Sequence, residues 1–122
     1  MAKSASTEVM LQGLNYIQAN SKRLFVNSSA PTNYTQASAT FMLAEHTLTS
    51  ADFTLSTGDA SGVKVAMSSQ TTIAVSASGT ANHVSVCTTS GIIFVTTCTT
   101  QALTTGNTVS VPAIDNEIAD PT

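Results

Sequence analysis

From residue 7 to about residue 20 the apolar side chains Val9, Met10, Leu14 and Ile17, with Tyr16 beside them, recur at spacings of three and four. That spacing predicts an amphipathic helix. Thr7 is the expected N-cap and Glu8 sits favourably in the first turn, whereas Gly13 weakens the middle by roughly 1 kcal/mol relative to Ala. The run KRLFV at 22–26 reads as a short strand, closed by the loop SSAPTNY, in which Pro31 and Asn33 supply turn chemistry. The stretch ATFMLAEHTLT at 39–49 fits a helical turn or a strand, because periodicity does not separate the two over so short a run.

After Ser50 the period changes. Turn chemistry recurs at GDASG (58–62), SSQ (68–70), SGT (78–80), TTSG (88–91) and TTGN (104–107). Between these turns apolar residues alternate with polar ones: Val63/Val65/Met67, Ile73/Val75/Ala77, Val84/Val86 and Val109/Val111. Residues 92–95 (IIFV) are apolar without interruption, which predicts a central strand covered on both faces. Strands punctuated every ten residues or so, with no helical pattern between them, indicate an antiparallel meander closing as a β-sandwich or small barrel. The expected fold is therefore mainly β with one N-terminal α-helix at 7–20. Pro112 lacks a ladder N–H, so the last strand is expected to end there or to lie at an edge, with residues 113–122 leaving the sheet as an acidic C-terminal tail.

The 122 residues fit a single domain, 1–122, long enough to bury about two-thirds of the unfolded chain's surface. With 42% hydrophobic residues the chain can offset its ordering entropy by burial, although only 9% of residues are charged. The four basic residues, Lys3, Lys22, Arg23 and Lys64, form no patch, and the net charge is -3, which argues against nucleic-acid binding. Sixteen Ser and twenty-one Thr give the surface a neutral, hydroxylated character. Copies of so weakly charged a chain repel one another little, which suits self-assembly or docking on a large body. The start, MAKSASTEVM, has no apolar signal core and no stretch approaches membrane-spanning length, so neither a secretory signal nor a membrane span is expected.

Candidate chemistry is sparse. Cys87 and Cys98 flank a hairpin whose turn is TTSG, which pairs Cys87 with about Ile92 and leaves Cys98 roughly 20 Å along the ladder. Two reduced thiols are expected. His83 and Cys87 share a strand face but stand about 13 Å apart, too far for a nucleophile and its base. Glu45 and His46 are adjacent and so point to different faces, reading as a solvent-facing polar pair in a helical turn. Asp115, Glu117 and Asp120 form the one carboxylate cluster, without the spacing or glycine of a calcium loop. Asn27 and Asn33 open glycosylation sequons that matter only in a secretory pathway. No catalytic, cofactor-binding or metal-binding residue is therefore assigned, and a small hydrolase, which needs a convergent His, carboxylate and nucleophile, ranks behind a structural role.

The order of several segments carries a resemblance: STEVM followed by GLNYI (6–17), AP then Tyr34, ADFTLSTGDASG (51–62), SASGTANHV (76–84), VTTCTTQALTTGNTVSVPA (95–113) and EIADPT (117–122). In this order the chain resembles short structural proteins of tailed bacteriophages encoded among head genes, of the capsid decoration or cement type. The resemblance implies a non-enzymatic virion protein, made in the host cytoplasm, that sits on the capsid surface. Its implied partners are the major capsid protein and further copies of itself, with a homotrimer expected, and it implies no cofactor, nucleic acid or membrane. A tail, baseplate or head-fibre protein is one alternative, and a binding module for host-surface glycans another, although aromatics are only 5%.

Overall fold

The computed structural model describes residues 6–57 and 62–118. Its first element is the helix α1 (Thr7–Asn20), followed by nine strands: β1 (Arg23–Asn27), β2 (Met42–Thr47), β3 (Phe53–Thr57), β4 (Val63–Met67), β5 (Gln70–Ala74), β6 (Gly79–Cys87), β7 (Ile92–Leu103), β8 (Thr108–Val111) and β9 (Ile114–Ile118). A π-helical turn, Gln36–Thr40, precedes β2, and a 3-10 turn, Ser50–Asp52, precedes β3. All strand pairs are antiparallel, in sheets ordered β2-β1-β6-β7, β3-β4-β9 and β5-β8. An isolated bridge, Ala44 to Val75, ties β5 to β2. The result is a sandwich-like, mainly β fold with one helix near the N-terminus and no closed barrel. It is not a simple meander, since β6 pairs with β1 and β9 with β4.

The helix begins one residue earlier than Thr7 capping would place it. Ser6 is the N-cap, with extended backbone and a side chain that accepts a hydrogen bond from the Val9 N–H at 3.2 Å. Its buried side is built on Leu14, with Leu11 and Ile17 partly buried, and the Gln18 side chain donates to the Phe53 carbonyl at 3.1 Å. The predicted stripe is thus only partly right: Val9 and Tyr16 point to solvent, 68% and 55% exposed. At about 100° per residue, Val9 and Tyr16 stand roughly 140° and 200° from Leu14, so the helix cannot bury all three.

One main core joins residues of all three sheets and the helix, including Leu24, Val26, Phe53, Val65, Met67, Ile73, Val84, Val86 and Val111. The period-two pattern of β4 buries Val63, Val65 and Met67 as expected. A second, smaller core lies on the other face of the four-stranded sheet, where Phe25, Ala37 and Cys87 pack together with Tyr34, Met42 and Ile92. The Phe25 and Tyr34 rings meet edge-on at 6.1 Å. Asn27, fully buried, fastens the covering segment: its amide donates to the Ala37 carbonyl at 2.9 Å and its oxygen accepts from Ser85 Oγ at 2.7 Å. An asparagine so engaged is not available to a glycosyl transferase in the folded chain. Asn33 uses its oxygen to accept the Gln36 N–H at 2.9 Å.

Three expectations are corrected. The apolar run at 92–95 lies in β7, which is an edge strand, while the strands covered on both faces are β1 and β6. Glu45 and His46 lie on the strand β2 rather than in a helical turn, with Glu45 exposed and paired with Arg23. The segment after Pro112 is no arm through residue 118: Ile114–Ile118 forms β9 and pairs residue by residue with β4, from Met67↔Ile114 to Val63↔Ile118. The alternation Ile114/Asn116/Ile118 and the open edge of β4 explain this, a pairing partner fifty residues away being invisible to local pattern. Residues 119–122, and the GDASG turn except Gly62, lie outside the described residues.

Two of the expected turns stand, TTSG and TTGN, whereas Gly79 and Thr80 of the expected SGT turn open β6 and Gln70 of the expected SSQ turn opens β5. TTSG joins β6 to β7 with Cys87 opposite Ile92, and Thr88 Oγ1 accepts the Gly91 N–H at 2.9 Å. TTGN joins β7 to β8 through Gly106 at φ 92, a conformation that glycine adopts without strain. The strand β8 stops at Val111, immediately before Pro112.

Candidate functional site

The long strand β7 is built to leave an opening. Between Ala81↔Gln101 and His83↔Thr97, two steps along β6 face four along β7, so residues 98–100 bulge from the ladder. Facing this bulge, the chain turns at Pro112 from β8 in one sheet to β9 in another, and two strands that leave for different sheets cannot both stay close to β7. The gap is a groove of about 670 Å³, within the usual range of ligand pockets. Its walls are residues 96–99 with Gln101 on one side and residues 109–114 on the other, and its floor is Val26, Ala81 and Val84. Consecutive residues of β7 line it, so the groove runs along the open edge of the strand as well as its inner face.

Among the described residues no charged side chain lines the groove. Its polar lining residues are Thr96, Thr97, Cys98, Thr99, Gln101 and Ser110. Burial pushes the Cys98 thiol up from its ordinary value, which keeps it neutral and weakly nucleophilic at neutral pH. A surface of this kind can bury apolar area and exchange neutral hydrogen bonds.

The residues weighed for chemistry do not come together there. Cys87 is fully buried under the segment that carries Ala37, its thiol also raised by burial, with a hydrogen bond to Ser85 opposing the shift. His83 shares the Cys87 face of β6, as the spacing required, and its Nδ1 lies 2.6 Å from the Asn82 Oδ1. His46 is on β2, opposite Leu24. Both cysteines are free. Asp115 sits 3.4 Å from Lys64 Nζ across the β4–β9 pair, and the Glu117 side chain and Asp120 lie outside the described residues. Among the described residues no group of three His, Cys, Asp or Glu is placed to hold a metal, and no helix is long and apolar enough to cross a membrane.

The groove was not legible in the sequence. Its two walls are the ends of β7 and the β8–β9 corner, and its floor comes from two further strands, so no contiguous motif encodes it. The one local signal was Pro112, which ends β8 and sets the corner. Comparison with known proteins gives no match, whether with family profiles, with curated proteins or with solved structures.

Proposed function

We propose that this chain is a non-enzymatic structural protein of a tailed-phage virion, a decoration or cement subunit that binds the assembled head. Each copy adheres to the shell across junctions between major-capsid subunits and adds interface that resists the internal pressure of packaged DNA. The resemblance of the ordered segments supports this reading, and so does the weak charge of the chain, 9% charged with a net of -3. The observation that carries it is the uncharged groove beside the open edge of β7, a surface suited to adhesion rather than to bond making. A stable contact buries upwards of roughly 1,000 Å² in total, which a sheet edge and groove supply best when several copies bind side by side.

Quantitative mass spectrometry of purified particles tests the reading. The expected result is a ratio to the most abundant shell protein between one to one and one to a few. A ratio below about one to thirty assigns the protein to the tail, baseplate or a unique vertex, since closed symmetric shells repeat their surface sites many times. Absence from particles overturns the virion reading.

A further inference from the structure

Residues 28–41 leave the four-stranded sheet after β1 and return to it at β2, and the Ser28 N–H closes the neck by donating to the Phe41 carbonyl at 3.0 Å. A compact surface excursion of about 6–16 residues with its ends together is an Ω-loop, and such loops are frequently functional. This one is bonded mainly to itself. The Gln36 side chain accepts the Thr32 N–H at 2.7 Å, the Asn33 side chain accepts the Gln36 N–H at 2.9 Å, and Ser38 Oγ donates to the Tyr34 carbonyl at 2.8 Å. Among the described residues, one hydrogen bond ties the loop inside its neck to the sheet, from the Asn27 amide to the Ala37 carbonyl at 2.9 Å. Beneath the loop lie Phe25 and Cys87, both fully buried, with Met42 and Ile92 beside them. Tyr34 and Ala37 are what the loop lays on this patch. No residue from 28 to 41 is charged, and the central turn, Gln36–Thr40, is π-helical, a rare form found often at functional sites.

We propose that residues 28–41 form a lid that swings off the sheet as one unit while the rest of the fold stays intact, uncovering a pocket floored by Phe25 and Cys87. Swinging out preserves the loop's internal hydrogen bonds. It breaks the Asn27 tie and the contacts of Tyr34 and Ala37, whereas global unfolding also breaks every strand pair and the main core. Openings that give up so few contacts lie well below the global stability. The hinge is the neck, where Ser28 meets Phe41 next to the β1–β2 irregularity at Val26/Asn27, so the ladder is already interrupted where the lid must turn. The device switches an apolar patch on the outer sheet face between covered and open, and it does not depend on the virion reading.

The test is the rate at which a neutral thiol reagent labels Cys87 in the full chain carrying Cys98→Ser, measured across urea concentrations beside the same protein's unfolding curve. When labelling is slow relative to closing, the rate reports the fraction open. Sensitivity to urea scales with the surface exposed, so lid opening is expected to give a slope under about a third of that for global unfolding. Without urea, labelling is expected to run at least about tenfold faster than global unfolding allows. Tyr34→Ala takes away the ring that meets Phe25 edge-on at 6.1 Å. It is expected to raise the low-urea rate about tenfold and to keep the shallow slope. Circular dichroism establishes that the variant is folded, and Ala37→Gly, which removes the buried methyl on the lid, replaces it if it is not. Labelling that follows global unfolding in magnitude and slope at every urea concentration overturns the proposal. A low-urea rate that a folded lid variant leaves unchanged also overturns it, because Cys87 is then reached by fraying of the β6–β7 hairpin beside it.

Discussion

Asn27 is the residue on which the second core depends. Its side chain is fully buried and spans two elements, holding the Ala37 carbonyl of the covering segment and the Ser85 hydroxyl of β6. Asn27→Ala removes both bonds, from the buried Ala37 carbonyl and from the Ser85 hydroxyl, which keeps its contact with the Cys87 thiol, at about 1–3 kcal/mol each. A loss of about 3 kcal/mol in urea unfolding is therefore expected. The segment over Cys87 loosens at the same time, so the rate at which a thiol reagent labels Cys87 should rise at least tenfold, measured in a Cys98→Ser background. Ser85→Ala removes one bond and keeps the tie to Ala37, so it should cost about 1 kcal/mol and leave labelling slow. Equal labelling in all three proteins would show that the segment is held by its apolar contacts, Phe25 against Tyr34 and Ala37, and not by the amide. None of this was legible at residue scale: Asn27 stands in the sequence as a sequon, and its partners lie ten and fifty-eight positions away.

At the scale of elements, what depends on neighbours in sequence was legible and what depends on distant pairing was not. The helix spans the predicted 7–20 because fourteen residues give the 3.6 period room to show, and the β6–β7 hairpin holds its predicted register because its turn is local. The rank of β7 in its sheet was misread because an apolar run signals burial without saying what provides it. At β1 and β6 the second cover comes from the segment carrying Tyr34 and Ala37, whereas β7 has an open edge. The reading of residues 114–118 as part of a tail failed for the same reason, and a substitution distinguishes strand from arm. Asn116 is the middle residue of β9, opposite Val65. Proline there breaks the extended pairing with β4 by its ring and its missing N–H, so Asn116→Pro is expected to cost about 3 kcal/mol in urea unfolding. A free arm would tolerate it within about 0.5 kcal/mol, as surface substitutions usually do.

At the scale of the whole molecule, composition and architecture lead to one property that particles can report. With four basic and seven acidic residues in 122, and a groove lined by none of either among the described residues, the chain has little charge with which to hold a partner. Ion pairs among the described residues, such as Arg23 with Glu45 and Lys64 with Asp115, are internal and partly solvated, and such pairs contribute about 0–1 kcal/mol. The proposed adhesion to a shell through this surface would rest on apolar burial and neutral hydrogen bonds, neither of which is screened by ions. Raising the salt from about 0.05 M to about 1 M shortens the Debye length from more than 10 Å to about 3 Å and would weaken an electrostatic attachment severely. For this protein the fraction retained on particles after pelleting should stay level or rise across that range, because weakly screened apolar contacts strengthen as salt is excluded from them. Release by salt would place the attachment on the few charges, with Lys22, Arg23 and the acidic residues of β9 the first to substitute, and would take from the groove its part in holding the shell.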